Sequence, residues 1–260
     1  PRPLTCPACG SSNWMERNFG TERIEEELHA QLPDARVARM DIDTVKGKTA
    51  HDALIQQFER QQLDILVGTQ MVVKGLDFDH VNLVGILDAD GLLGFADFRV
   101  NERAFQLMEQ VSGRAGRKGK QGRVILQTTN PTHPVLGYVV NHDYRGFFTF
   151  EMQGRKQFHY PPYTRLILLT FKHKLKDRAE AAANMVAREL SKEFGDYIIG
   201  PAEPVVNRVK TYYLVEILMK LPKDAKLNAL ARQMLHQQQA ILQNDRVLKS
   251  VIIQFDVDPV

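Results

Sequence analysis

Short apolar stretches alternate with helical patterns along residues 13–130, and this alternation is the feature that most constrains the fold. Consecutive parallel strands need a long crossover connection, usually a helix, so the pattern predicts a parallel, doubly wound α/β sheet. The expected strands are 14–19, 36–42, 65–67, 81–87 and 122–128, and the expected helices are 21–32, 50–60 and 101–112. Ligands of such sheets gather at the carboxyl ends of the strands. The polar residues that follow the strands are therefore the first candidates for a binding site.

Local signals refine the first helices. Thr21 is the expected N-cap of the first helix, and Pro33 ends it. In the second helix Ala53, Leu54 and Phe58 are predicted to face inward.

The triplet Gly47-Lys48-Thr49 mimics the end of a P-loop, but the position of the first P-loop glycine is Ile42. We therefore interpret the triplet as a turn and N-cap before the second helix.

Residues 163–260 are predicted to form a smaller α+β unit with the order β-α-β-β-α-β, as in ferredoxin-like folds. The expected strands are 165–172, 197–200, 212–221 and 247–257, and the expected helices are 177–194 and 224–242. Val251, Ile253, Phe255 and Val257 alternate as one buried face of the last strand. A helical connector, 136–162, joins the two units, and its consecutive prolines mark the boundary.

Two arginines stand three residues apart at the expected end of helix 101–112, in the segment Gln110-Val-Ser-Gly-Arg114-Ala-Gly-Arg117. The planar guanidinium matches phosphate oxygens, and glycine lets the backbone approach a ligand closely. The segment therefore indicates a clamp on a polyphosphate. The alternative is a basic, glycine-rich surface turn.

A second polar segment follows strand 65–67. It comprises Thr69, Gln70, a Lys74-Gly75 turn and Asp77. Hydroxyl, ammonium and backbone N–H groups suit phosphate contacts that do not depend on base sequence. The alternative is a polar loop that binds nothing.

A carboxylate pair, Asp88 and Asp90, ends strand 81–87. It could hold Mg²⁺, but we favour a loop in which the carboxylates cap or orient the backbone.

Together, the segments 65–78 and 110–119 resemble motifs V and VI of superfamily 2 helicases, which lie in the second RecA-like lobe. The resemblance extends, in order, over essentially the whole chain to the C-terminal half of the bacterial primosomal replication-restart helicases. The further matching segments are Phe19–Leu28, Asp88–Leu92, Ala96–Arg99, Glu102-Arg103, Phe105–Leu107 and Asp256–Pro259. Ser112 stands where the family usually has alanine.

The resemblance implies roles for these side chains. Arg117 would be the arginine finger on the γ-phosphate of an ATP bound between two lobes, and Arg114 would contact the same phosphates. Gln110, Gly113, Gly75 and Asp77 would belong to the nucleotide site, with Asp77 near the ribose. Thr69, Gln70 and Lys74 would grip the DNA strand.

The resemblance also implies a parent protein that is an ATP-dependent 3′→5′ DNA helicase of replication restart and primosome assembly. Its ATP and Mg²⁺ would be bound mainly by a first lobe that this chain lacks, so we expect no ATPase activity from the chain alone. The implied partners are forked or single-stranded DNA, single-strand-binding protein and primosome proteins, in the bacterial cytoplasm at the nucleoid. The alternative is a non-enzymatic DNA- or partner-binding module.

The implied domains are a remnant of a zinc-binding insert (1–12), lobe 2 (13–135), the connector (136–162) and the C-terminal domain (163–260). Cys6 and Cys9 have the spacing of half a zinc site, and the resemblance places the missing ligands upstream. A redox pair is the competing interpretation.

Composition adds limits. Two cysteines predict no disulfide framework, and the absence of an apolar run of about 20 residues predicts no membrane span. The net charge of +3 permits nucleic-acid binding without requiring it. Two stretches in the second half, 155–165 and 208–213, mix basic and aromatic residues that could bind DNA or could belong to the core. The resemblance implies a DNA role for the C-terminal domain, but for none of these side chains.

Overall fold

A computed structural model describes residues 20–41, 48–69, 80–95, 97–113, 115 and 122–259 of the chain. It divides into two compact units, Pro1–Tyr144 and Arg145–Val260.

The first unit is built from short strands and helices in alternation. Its elements are α1 (Thr21–Gln31), β1 (Val37–Met40), α2 (Lys48–Glu59), β2 (Ile65–Gly68), β3 (Leu83–Ile86), α3 (Ala89–Leu93), α4 (Val100–Ser112), β4 (Arg123–Leu126) and α5 (Pro134–Val140). The predicted strand 14–19 lies outside the described residues.

The strands of this unit pair in parallel, as the alternation predicts. β1 pairs with β2 so that Met40 lies opposite Gly68, and β3 pairs with β4 so that Ile86 lies opposite Leu126. In each pair the carboxyl ends therefore meet at one edge. A small cluster around the fully buried Met40 covers the first pair with the apolar residues Leu54, Ile55, Phe58, Leu66 and Val81.

Three details of the first helices differ from the predictions. Gly20, not Thr21, is the N-cap of α1, because the Thr21 hydroxyl donates to a distant carboxylate, Asp41. Helix α2 begins at Lys48, so Thr49 is inside the helix and is not its cap. Leu54 and Phe58 pack inward as predicted, but Ala53 is exposed and Ile55 packs on the core in its place, so one edge of the buried stripe of α2 differs from the prediction.

Helix α4 packs against α5 through the apolar side chains that both helices bury. In α4 these are Ala104, Phe105 and Met108, at the three- and four-residue spacing of one helix face. The Phe105 ring also lies 6.2 Å from the Tyr144 ring, centre to centre, at the start of the next helix.

The second unit is a helix-covered antiparallel sheet. Its elements are α6 (Tyr144–Gln157), β5 (Thr164–His173), α7 (Lys176–Phe194), a 3-10 turn (Gly195–Tyr197), β6 (Ile198–Ala202), β7 (Arg208–Val209), β8 (Tyr212–Pro222), α8 (Ala225–Asn244) and β9 (Ile252–Val257). The strands lie in the order β6-β8-β5-β9, and the short β7, which no pattern predicted, pairs with β8.

The core of this unit lies between the sheet and helices α7 and α8. Strand β8 buries every second residue, as β5 does from Ile167 onward, and these include the fully buried Leu169, Phe171, Ile217 and Met219. Helix α7 contributes Ala182, Val186 and Leu190, four residues apart on one face, and together with the buried strand residues they form one continuous apolar layer.

Strand β9 is shorter than predicted. It begins at Ile252, because the carboxylate of Asp245 accepts hydrogen bonds from the N–H groups of Val247 (2.7 Å) and Leu248 (2.8 Å) and folds this stretch into a turn. The predicted buried face is also incomplete, since Val257 is 55% exposed.

Candidate functional site

Thr69 lies at the carboxyl edge of the first strand pair. It follows Gly68, the last residue of β2, and it is exposed. Its hydroxyl is therefore available at the edge where parallel sheets bind ligands. The residues predicted to act with it, Gln70, Lys74, Gly75 and Asp77, lie outside the described residues.

The C-terminal end of α4 holds the described part of the arginine segment. Gln110 is exposed in the last turn, and Gly113 is the C-cap, with its N–H donating to Glu109 O at 2.9 Å. Arg114 and Arg117 lie outside the described residues.

The backbone conformation at position 113 does not require glycine. Its φ is −65°, which any residue adopts, and an added Cβ would lie 3.5 Å from Glu109 O, an ordinary contact. Among the described residues nothing therefore demands glycine at this position.

The start of α4 is fixed by Asp97. Its carboxylate accepts a hydrogen bond from Arg99 N at 2.9 Å and pairs with the Arg103 guanidinium at 2.7 Å. The Arg99 guanidinium lies 4.7 Å from the centre of the Phe98 ring. These contacts give Asp97 and Arg99, two residues of a segment that resembles the helicase family, a structural role.

A buried carboxylate at the end of β1 was not predicted from the sequence. Asp41 is 7% exposed, and its Oδ2 lies 2.5 Å from the donating Thr21 hydroxyl and 3.2 Å from an Arg39 nitrogen. Arg39 also pairs with Glu25 of α1 at 3.3 Å. The group ties α1 to the same sheet edge that presents Thr69. Its only signal in the sequence was a threonine that looked like a helix cap.

Asp88 and Asp90 act on the backbone, as we favoured. Asp88 is the N-cap of α3, with φ 54°, and it accepts a hydrogen bond from Gly91 N at 3.1 Å. Asp90 accepts from the Thr128 hydroxyl at 2.6 Å and from Thr129 N at 2.7 Å. With these donors in place, the pair does not fit a magnesium site.

The donors around Asp90 lead to a pH prediction. They lower the pKa of Asp90 from 3.8 to about 2, chiefly through the hydroxyl of Thr128 and then through Thr129. A carboxyl with a lowered pKa stabilises the fold fully above its unfolded pKa of about 4, and the stabilisation disappears as the pH falls to about 2. We expect the difference in free energy of unfolding between the wild type and Asp90→Asn to shrink across this window in urea titrations. A constant difference, or an equal effect from Asp34→Asn in the exposed turn after α1, would contradict this assignment.

Several side chains of the basic and aromatic stretches make contacts within the second unit. Arg155 is only 12% exposed and pairs with Glu151 at 3.0 Å, so it is a structural cation. The Lys220 ammonium lies 3.7 Å from the centre of the Tyr160 ring, and the Arg208 guanidinium lies 5.0 Å from that of Tyr213.

Cys6 and Cys9 lie outside the described residues. Within the described ranges, no three His, Cys, Asp or Glu side chains come together as metal ligands would. The described helices also include none with the length and apolarity to span a membrane.

Two family models match the chain, one in each unit. The helicase conserved C-terminal domain matches residues 16–119, and the primosomal protein N C-terminal domain matches residues 156–260. The replication restart protein PriA of Bacillus subtilis is 42% identical over 100% of the chain. The proteins of the same name from Synechocystis and Haemophilus influenzae are 40% and 34% identical, each over 99% of it.

The chain belongs to the PriA family. It spans about a third of the length of these PriA relatives, namely 32%, 30% and 35% of them. The two matched regions follow one another in the same order as the parallel-stranded unit and the antiparallel unit. The helicase match identifies the first unit as a RecA-like second lobe, followed by a separate C-terminal domain.

Proposed function

We propose that this chain is the C-terminal part of an ATP-dependent 3′→5′ DNA helicase that acts in replication restart and primosome assembly. The observation that carries the proposal is the unbroken similarity of the whole chain to its relatives. Relatives named for replication restart match the chain from end to end, and a helicase region precedes a primosomal region within it.

In this proposal Arg114 and Arg117 neutralise the charge that develops on the transferred phosphoryl group, with Arg117 as the finger. Their position directly after α4 supports this, since Gln110 is exposed at the helix end and Gly113 can accept a close neighbour. A glycine that its own backbone does not demand is consistent with a ligand that approaches the main chain.

The DNA grip is assigned to Thr69, Gln70 and Lys74, and the remaining nucleotide contacts to Gly75 and Asp77. The exposed position of Thr69 at the end of β2 supports the first assignment. Contacts of this kind would hold the phosphate backbone without reading its sequence.

We infer the domain boundaries 1–12, 13–135, 136–162 and 163–260. The parallel pairing of β1 with β2 and of β3 with β4 supports a doubly wound first domain. The order β6-β8-β5-β9, with helices α7 and α8 against the sheet, supports a ferredoxin-like βαββαβ domain after residue 163.

ATP and Mg²⁺ would be bound mainly by the first lobe of the parent protein, and zinc by Cys6 and Cys9 with ligands from upstream. When bound, Mg²⁺ would neutralise part of the charge on the ATP phosphates. Forked or single-stranded DNA, single-strand-binding protein and primosome proteins are the proposed partners, in the cytoplasm at the nucleoid.

The proposal predicts that the 260-residue chain alone hydrolyses no ATP, because its sequence contains no P-loop. Phosphate release should be absent with and without forked DNA, while the full-length protein should show DNA-stimulated turnover. Turnover by the chain alone would contradict the proposal.

The second candidate, a binding module that does no chemistry, is favoured by the fraction of the relatives that the chain spans. Hydrolysis by the Arg117→Ala variant of the full-length protein, measured beside fluorescence anisotropy of the chain with labelled forked DNA, separates the two. Binding by the chain, together with a full-length protein whose hydrolysis is indifferent to Arg117→Ala, would support the module.

A further inference from the structure

A histidine–glutamate contact joins the end of α4 to the turn between α5 and α6. His142 Nδ1 lies 3.1 Å from each carboxylate oxygen of Glu109. A carboxylate oxygen accepts, so the contact is a hydrogen bond in the tautomer that carries its proton on Nδ1. Glu109 stands in the last turn of α4, directly before Gln110.

The turn that carries His142 is a fixed anchor. Three backbone hydrogen bonds close it, from Asn141 N to Gly137 O, from His142 N to Val139 O and from Asp143 N to Tyr138 O, at 3.2, 3.1 and 2.9 Å. Together they hold His142 at φ 52°, a left-handed conformation that disfavours most residues. The Phe105–Tyr144 ring contact braces the same junction from the middle of α4.

Global stability does not explain the pair. The side chains are 67% and 28% exposed, and ion pairs that reach solvent contribute little to folding. What distinguishes the contact is its place, because the chain runs from this helix end directly into Arg114 and Arg117.

We propose that Glu109 and His142 are positioning residues that hold the last turn of α4 where the following arginines can reach the phosphates. The inference rests on the proposed function. A finger acts on charge that develops in the transition state, so a displaced helix end lowers kcat and leaves the KM for ATP unchanged.

The test uses the full-length protein with Glu109→Ala, His142→Ala and His142→Asn, and with Gln106→Ala as an exposed control on the same helix. Asparagine suits the left-handed backbone but is too short to keep the contact, so it separates the two requirements. Each of the three variants is expected to lower kcat by about threefold to tenfold with an unchanged KM and melting temperature. The double variant Glu109→Ala with His142→Ala should be no worse than either single variant, since the contact is already lost.

Wild-type kcat in Glu109→Ala would overturn the proposal. It would also be overturned if His142→Asn kept wild-type kcat while His142→Ala lost it, because the backbone conformation would then be the requirement. Measuring kcat of Arg117→Ala in parallel shows whether the proposed function itself fails. If that variant hydrolyses ATP like the wild type, the proposed function fails and the positioning role falls with it.

Discussion

Replacing Arg117 by alanine in the full-length protein is expected to lower kcat for DNA-stimulated ATP hydrolysis by about 10³-fold or more. The physical reason is that the guanidinium is the proposed partner of the charge that develops on the transferred phosphoryl group. Arg117→Lys should recover little, because an ammonium lacks the planar fork that binds two oxygens at once. The KM for ATP should change far less than kcat, since the first lobe is proposed to hold the ground-state nucleotide.

Arg60→Ala is the matched control. Arg60 is an exposed arginine after α2, at the opposite end of β2 from Thr69, and its loss should leave kcat unchanged. Phosphate release measured with saturating forked DNA checks both variants. Equal rates of ATP hydrolysis by Arg117→Ala and the wild type would contradict the assignment of Arg117 as the arginine finger.

Replacing Phe171 by alanine is expected to cost the second unit about 3–5 kcal/mol of folding free energy. Phe171 is fully buried in the middle of β5, between β8 and β9, and packs in the layer under α7 and α8. Truncation removes apolar contacts on all sides and leaves a cavity, because a close-packed core relaxes only in part.

Hydrogen exchange of the β5 and β8 amides measures this loss in the second unit alone, without assuming that both units unfold together. Phe158→Ala is the matched control, since the Phe158 side chain is 60% exposed. It should change protection of these amides by less than about 0.5 kcal/mol. Equal protection in Phe171→Ala and Phe158→Ala would contradict the assignment of the core.

Periodicity predicted the elements that bury a regular face. Helix α7 buries Ala182, Val186 and Leu190, four residues apart, as its spacing indicated. Strand β5 likewise extends only one residue beyond its predicted bounds at each end. In such elements the sequence pattern and the tertiary packing impose the same requirement, so local reasoning succeeds.

The predictions from the sequence were wrong or incomplete where a side chain distant in the sequence determines the local structure. Thr21 looked like a helix cap, but its hydroxyl serves Asp41, twenty residues away in the sequence. Residues 247–251 looked like strand, but the Asp245 carboxylate turns them. The contact between Glu109 and His142 spans 33 residues and has no local signal. Side chain–backbone competition and tertiary pairing are invisible to a periodic pattern.

The candidate site, too, could be predicted from the sequence only in part. Residue types and spacing were enough to predict phosphate contacts as hypotheses, and the family resemblance added the DNA grip and the arginine finger. Of those residues the structure describes Thr69, Gln110 and Gly113, which lie at a strand end or a helix end. Their proposed roles would depend on groups of the proposed parent protein, which no pattern within this chain can locate.

The most direct test of the central claim is a structure of the full-length protein with a non-hydrolysable ATP analogue. We predict that guanidinium nitrogens of Arg117 and Arg114 lie within about 3 Å of phosphate oxygens of a nucleotide bound to the first lobe. Arginines that instead pair with carboxylates of their own unit and point away from the nucleotide would contradict it.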